Sequence, residues 1–389
     1  MNELRKRFGR PLHLAVVGGG PDSWIGGMHR GGAELDGMWK VVAGVVSSDP
    51  ARARARGADI GLDPERSYAT VAQMLGRERD RSDGIEGVAV MAPNDQHYGA
   101  SAAALDAGLD VVCDKPVTHD LAQALDLVAR TRNRDRIFAV SHGYSCYPMT
   151  RYARKLVREG GLGEVRMVQV EYIQNGLATR LEDLPQTNRL RWLLDPQRSG
   201  LSLVMSAIGC HAQHLACSVT GQRVSAVCAE AVAVMPERRV IDYTSALLRF
   251  ERGARGTLTV TQAAAGGEND IRLRVYGERG YIEWSHREAS YLRIGMQGEP
   301  LRIVGRGDPF LPPDPLATRS PRGHPEGLRE AFANIYSEVA MERMARSMGA
   351  DIPPLAYPTI EDGAHSMAFI EACTASAAAQ GWTRVAATP

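Results

Sequence analysis

The sequence predicts an α/β chain in two parts: a doubly wound parallel sheet over residues 1–143, then an α+β domain over residues 144–389 with a mainly antiparallel open sheet. Three observations carry that prediction. An apolar run at 12–17 ends in Gly18-Gly19-Gly20 and leads into a helical pattern. Short apolar runs then alternate with helical patterns up to residue 143, and beyond it strand-like runs follow one another with few helices between. The 389 residues also exceed what one hydrophobic core comfortably serves.

Residues 12–17, the glycine turn and a helix over 26–35 make the opening of a nucleotide-binding βαβ unit. Further β-branched or apolar runs at 41–46, 87–91, 109–112 and 137–141 alternate with helical patterns at 51–57, 68–75, 100–107 and 121–130. These five runs fit a sheet of about six strands, a normal size for such a domain. In the second half the strands are 165–174, 224–234, 245–250, 254–262, 270–276, 281–285 and 291–294, with hairpin signals at Glu251-Arg252-Gly253 and Gly277-Glu278-Arg279-Gly280. Helices at 149–158 and 211–219 should cover one face of that sheet. Residues 305–323, with five prolines, predict an irregular loop; 325–348 predicts a long helix, and 360–380 an alanine-rich helix with Thr359 as N-cap.

Composition narrows the function. Hydrophobic residues are 44 %, charged residues 23 %, and 46 Lys+Arg against 45 Asp+Glu leave a formal net charge of +1. Such a balance describes an ordinary globular protein without the basic surplus of a nucleic-acid binder. No apolar run reaches the ~18 residues of a membrane span. The basic start runs into an apolar stretch too short and too glycine-bounded for a signal peptide, so a cytoplasmic protein is expected. Six cysteines without a Cys-x-x-Cys pair predict reduced thiols, neither a disulfide framework nor a zinc ribbon.

Gly18, Gly20 and Gly26 form a stretched G-x-G-x-x-G, with three extra residues before the last glycine. After a strand and before a helix, such a turn offers close backbone approach and free N–H groups to a pyrophosphate. At the end of the second strand, where a carboxylate usually reads the ribose hydroxyls of a dinucleotide, stands Ser47-Ser48-Asp49-Pro50. Serines with Arg52 and Arg54 nearby tilt the choice toward a 2′-phosphate, while Asp49 is also placed to cap the next helix. NAD or NADP therefore stays open. Two further segments close strands on the ligand side of the sheet: Ala92-Pro93-Asn94-Asp95-Gln96-His97 and Cys113-Asp114-Lys115-Pro116. An ammonium group there, on a turn stiffened by proline, can polarise a substrate hydroxyl as hydride leaves.

The glycine loop, Pro93-Asn94-x-x-His97, Asp114-Lys115-Pro116 and Ile208-Gly209-Cys210-His211 together resemble the glucose–fructose oxidoreductase/inositol dehydrogenase (Gfo/Idh/MocA) family, in order and over nearly the whole chain. Asp114 replaces the glutamate of that family's Glu-Lys-Pro signature. The resemblance implies an N-terminal Rossmann domain binding NAD or NADP, and a C-terminal open sheet supplying the substrate site and often an oligomer interface. It implies catalytic Lys115 and His211, and cofactor contacts from Gly18, Gly20, Ile25, Gly26, Ser47, Ser48 and Arg52. Pro93, Asn94, His97, Asp114, Lys115 and Trp192 complete the implied cofactor set. The family's usual Asp-x-x-x-His falls on Ala207 to His211, so the carboxylate that orients an imidazole base is absent here.

Lys115, Tyr144, Tyr147, Arg191, His211, His214 and His324 are the substrate candidates. His211 and His214 share a helical face, but no third ligand stands beside them in sequence, so no metal is expected. The leading expectation is an oxidoreductase passing hydride between a nicotinamide cofactor and a secondary alcohol of a sugar, cyclitol or glycoside. Two alternatives stay open at this point: a redox-assisted glycosidase or lyase without net cofactor turnover, and a catalytically weak dinucleotide-binding regulator. A homodimer or homotetramer is expected, because an open sheet face seeks a partner.

Overall fold

The computed structural model describes residues 3–47, 49–185, 187, 190, 193–199, 202–311 and 318–389. They form two compact units. The first comprises Met1–Thr118, Ala122–Cys146 and Gly327–Gly363; the second comprises His119–Leu121, Tyr147–Glu326 and Ala364–Pro389. The long helix Leu328–Met348, which the sequence reading puts with residues 144–389, thus lies in the first unit.

The first unit is built on a parallel sheet of β1 (Leu12–Gly18), β2 (Trp39–Val45), β3 (Gly87–Met91), β4 (Asp110–Cys113) and β5 (Phe138–Val140), in the order β2-β1-β3-β4-β5. Leu14, Ala15 and Val16 of β1 and Val88 to Val90 of β3 are buried, as strands covered on both faces must be. Five strands pair in this sheet where about six are expected, and a single parallel bridge joins Ser67 to Gly44 of β2. The approach to Ser67 is a 3-10 turn at Pro64–Arg66, capped by Asp63 accepting from the Glu65 N–H. Strand order reverses between β1 and β3, the crevice where open α/β sheets bind ligands.

Around the sheet run α1 (Glu3–Phe8), α2 (Trp24–Leu35), α3 (Pro50–Ala58), α4 (Val71–Arg79), α5 (Asn94–Asp106) and α6 (Leu121–Asn133). Helix Leu328–Met348 packs on α2 so closely that a Cβ on Gly32 would stand 2.7 Å from the Phe332 Cβ. Glycine at that point sets the helix spacing. The Trp39 indole N–H donates to the Tyr336 carbonyl at 2.8 Å, and the Ser337 hydroxyl donates to Asp36 at 2.6 Å. Both bonds join residues some three hundred positions apart, which no local pattern announces.

The second unit carries a sheet of β6 (Val165–Gln174), β7 (Val224–Val232), β8 (Tyr243–Phe250), β9 (Arg255–Thr261), β10 (Asn269–Gly277), β11 (Gly280–Ser285), β12 (Tyr291–Met296), β13 (Arg302–Gly305) and β14 (Thr383–Arg384). Its order is β13-β12-β11-β10-β6-β9-β8-β7-β14. Only β6 and β9 pair in parallel; every other neighbouring pair is antiparallel. The two short edge strands β13 and β14 escape sequence patterning because four and two residues carry too little alternation.

Strand β6 buries Val168, Val170 and Tyr172 in alternation, and β10 buries Ile271, Leu273 and Val275 beside them. Helices α7 (Pro148–Arg158) and α8 (Cys210–Thr220) pack on this sheet, as does the terminal helix Ile360–Ala379, whose Ser376 hydroxyl accepts from the Ala229 N–H at 2.8 Å. The alternate positions carry ion pairs such as Arg274 with Glu283 at 2.7 Å. Among the described residues no helix is long and apolar enough to cross a membrane. All six cysteines are free thiols, four of them buried.

Candidate active site

The glycine loop follows β1. Gly18 (φ +79°) and Gly19 (φ +63°) are left-handed, a conformation that costs glycine least. A Cβ on Gly18 would lie 2.7 Å from the Met91 carbonyl, and one on Gly26 would lie 2.4 Å from the Gly19 carbonyl. Loop, β3 end and helix therefore approach at backbone distance. Helix α2 starts at Trp24, two residues earlier than its pattern suggests, because Ser23 caps it by accepting from the Gly26 N–H at 3.1 Å. Gly26 thus sits inside the first turn, with half-buried Ile25 beside it. Left-handed glycines at a helix N-terminus on the strand-order reversal fit a dinucleotide pyrophosphate, which needs N–H donors and no side chain in the way. Bound there, NAD supplies the hydride acceptor.

At the end of β2 the Ser47 hydroxyl accepts from the Asp49 N–H at 3.2 Å. Arg52 is 75 % exposed and donates to Asp49 at 2.7 Å, so its charge is directed at its own helix cap. Arg56, one turn later and not singled out by sequence, reaches the glycine loop from the β2 side and pairs with Asp22 at 2.8 Å, while Arg30 of α2 donates to the Gly19 carbonyl. Ser48, Arg191 and Trp192 lie outside the described residues.

At the next two strand ends the motifs interlock. Pro93 is the N-cap of α5, so Asn94 and His97 lie on the helix itself rather than in a loop before it. The His97 ring is buried, with Nδ1 2.8 Å from the Pro116 carbonyl and Nε2 2.8 Å from the Ala92 carbonyl. Burial pushes its pKa down against the pull of Asp114 and of the two carbonyls. The imidazole links the β3 end to the turn that carries Lys115 and so positions that turn.

Asp114 accepts from the Ser141 hydroxyl at 2.5 Å, and its Oδ1 lies 3.7 Å from His29 Nε2 on α2. The latter is an electrostatic contact, longer than a hydrogen bond. His29 Nδ1 stands 2.7 Å from the Tyr336 hydroxyl. A proton on Nε2 satisfies both neighbours: Tyr336 donates to Nδ1, and an N–H edge faces the carboxylate. Burial, with the charge of Asp114, raises the Tyr336 pKa well above its ordinary value and keeps it a donor. Burial also opposes charge on Asp114. His29, Lys115 and Ser141 outweigh it and hold the carboxyl well below the usual carboxylate range. Half-buried Lys115 thus follows a carboxylate that stays ionised.

In the second unit His211 opens α8 just after a π-helical turn at Met205–Gly209, where the Cys210 N–H reaches back to Met205. Such turns interrupt the four-residue register, so Ala207 and His211 are not stacked as in a regular helix. His211 and His214 are both buried, and the His211 ring lies 6.4 Å, centroid to centroid, from that of Tyr172. Tyr172 donates to Asn269 at 2.9 Å, Gln174 donates to Tyr172 at 3.1 Å, and Gln262 donates to Gln174 at 2.7 Å. This polar row is absent from the sequence reading. Its signal is the inward series of β6, where Tyr172 follows apolar Val168 and Val170.

Tyr147, the N-cap of α7, points its hydroxyl at His286 Nε2, 3.2 Å away, and packs on Trp284. His286 is half-buried and its pKa is lowered by that burial. Tyr144 is buried in the 3-10 turn Gly143–Cys146 of the first unit. His324 is exposed on a loop anchored by the buried pair Arg306–Glu326 at 3.1 Å, and its carbonyl accepts from Arg306. Among the described residues no cluster of three or more His, Cys, Asp or Glu side chains is arranged to hold a metal ion.

Comparison with known proteins agrees with this architecture. Residues 12–142 match the model of the oxidoreductase family, NAD-binding Rossmann fold, and residues 150–283 match the GFO/IDH/MocA C-terminal domain. An uncharacterized oxidoreductase of Bacillus subtilis (strain 168) is 31 % identical over 376 residues, 95 % of each chain. The crystal structure of an inositol dehydrogenase homolog from Azotobacter vinelandii complexed with NAD+ superposes with a TM-score of 0.92 at 34 % identity, covering 99 % of this chain and 100 % of that one. The same homolog complexed with NADH and myo-inositol gives 0.89 at 33 % identity, covering 97 % and 98 %. With a glycine loop shaped for a dinucleotide, an Asp-Lys-Pro turn at the end of β4 and matches across both units, this chain belongs to the Gfo/Idh/MocA family of NAD-binding oxidoreductases.

Proposed function

We propose that this oxidoreductase interconverts a secondary alcohol and a ketone on a sugar, cyclitol or glycoside, with NAD as the hydride partner. The observation that carries the reading is Lys115, half-buried at the end of β4 beside a carboxylate held ionised by its surroundings. An ammonium there stabilises the alkoxide character that develops on the substrate oxygen as hydride departs. His211 is the proposed proton acceptor; with Ala207 four residues before it, its imidazolium lacks the family's usual carboxylate. Tyr172, Gln174 and Asn269 are proposed to meet substrate hydroxyls, since a row of amides and a phenol suits a polyol better than an apolar ring. The inositol dehydrogenase homolog solved with NADH and myo-inositol supports the cyclitol end of this range.

Absorbance at 340 nm, followed while the protein meets NAD and a panel of cyclitols, sugars and glycosides, should rise with at least one ring polyol. No change over the panel, with NAD demonstrably bound, would sink the dehydrogenase reading. We further propose a homodimer or homotetramer joined through the second sheet, where Leu247 is 52 % and Met167 40 % exposed. Light scattering at micromolar concentration is expected to give twice or four times the 42.2 kDa chain mass, and a monomer would refute this.

A further inference from the structure

We propose that the Asp22–Arg56 ion pair makes this enzyme discriminate against the 2′-phosphorylated cofactor, so that it prefers NAD to NADP; the proposal rests on the dinucleotide reading of the glycine loop. Arg56 Nη2 lies 2.8 Å from Asp22 Oδ2. A Cβ on Gly20 would meet that same nitrogen at 3.1 Å and the Val46 carbonyl at 3.2 Å. The guanidinium therefore rests between the middle of the glycine loop and the carboxyl end of β2. In a dinucleotide-binding fold this is where the adenosine ribose is read. Arg52, the arginine nearer to Ser47 in sequence, donates to its own helix cap Asp49, whereas Arg56 turns to Asp22 on the glycine loop.

Unpaired, an arginine so placed would welcome a ribose 2′-phosphate through charge-assisted hydrogen bonds. Asp22 changes that. It belongs to the stretch between Gly20 and Gly26 that is three residues longer than the usual motif, and it brings a carboxylate onto the guanidinium. A 2′-phosphate carries about −1.5 to −2 charges near neutral pH. To reach Arg56 it must displace Asp22 and then sit beside a like charge, whereas a 2′-hydroxyl leaves the pair intact. An exposed ion pair contributes little to stability, so the consequence falls on selectivity rather than on folding.

Fluorescence titration of the full-length protein with NADH and NADPH tests this without any substrate. The wild type should bind NADH more tightly. Asp22→Asn should raise the affinity for NADPH relative to NADH by on the order of tenfold, since it removes the opposing charge and keeps the shape. The double variant Asp22→Asn/Arg56→Gln should lose that gain. A wild type that prefers NADPH, an unchanged ratio in Asp22→Asn, or a gain that survives loss of Arg56 would each overturn the proposal while leaving the dinucleotide site standing. Binding of neither cofactor would overturn the proposal together with the reading on which it rests.

Discussion

Lys115→Ala is expected to lower kcat by roughly 10²–10³-fold, the range for losing one group that stabilises developing negative charge, with NADH affinity changed only a few-fold. The asymmetry follows from where the side chain stands. Its backbone belongs to the turn that His97 ties to the end of β3, so removing the ammonium leaves the cofactor-side scaffold in place. What is lost is the charge that stabilises the substrate oxygen in the transition state, and such an interaction shows in kcat rather than in ground-state binding. Stopped-flow reduction of NAD with the substrate identified by the polyol panel measures the chemical step directly. Turnover within threefold of wild type would remove Lys115 from the mechanism.

His29→Leu should destabilise the protein by about 1–3 kcal/mol, because it leaves the buried Tyr336 hydroxyl and the Asp114 carboxylate without their shared neighbour. The pH dependence separates electrostatics from packing. In the wild type the Asp114 carboxyl is held low in the folded state. It therefore contributes stability above its unfolded value of about 3.9, and that contribution disappears as pH falls through the lower folded value. Without His29, burial is opposed only by Lys115 and Ser141, so the folded carboxyl rises and takes up its proton at higher pH. The gap in Tm between wild type and variant should then narrow as pH falls through the variant's raised carboxyl value toward the lower value of the wild type. His29→Gln, whose amide still turns an N–H toward Asp114, should recover part of the lost stability. A gap independent of pH would reduce His29 to a space-filling role.

The glycine turn, the two strand-end motifs and the change from alternating to consecutive strands were all legible in the amino-acid order. Each is a contiguous pattern with a local cause: glycine for left-handed φ, apolar runs for strands buried on both faces, period-two alternation for the second sheet. Less legible were residues whose partners are distant. Nothing around His29 announces Asp114 or Tyr336, although a histidine one turn before small Gly32 and Ala33 marks a closely approached helix face. Arg56 resembles the other arginines of α3, and only its reach across Gly20 separates it from Arg52. Tyr172 and Asn269 meet because β6 and β10 pair in one register, which no run of residues encodes by itself.

Local periodicity and turn chemistry were thus sufficient for the kind of sheet in each half, the dinucleotide loop and the lysine that follows β4, since each depends on neighbours within a few positions. Long-range packing settled the rest. Helix Leu328–Met348 joined the first unit because its apolar surface is buried against α2, where Gly32 permits close approach. The environment of Asp114 and the charge facing Gly20 arose in the same way, since burial and the Coulomb field depend on distance in space, and sequence separation does not carry that distance.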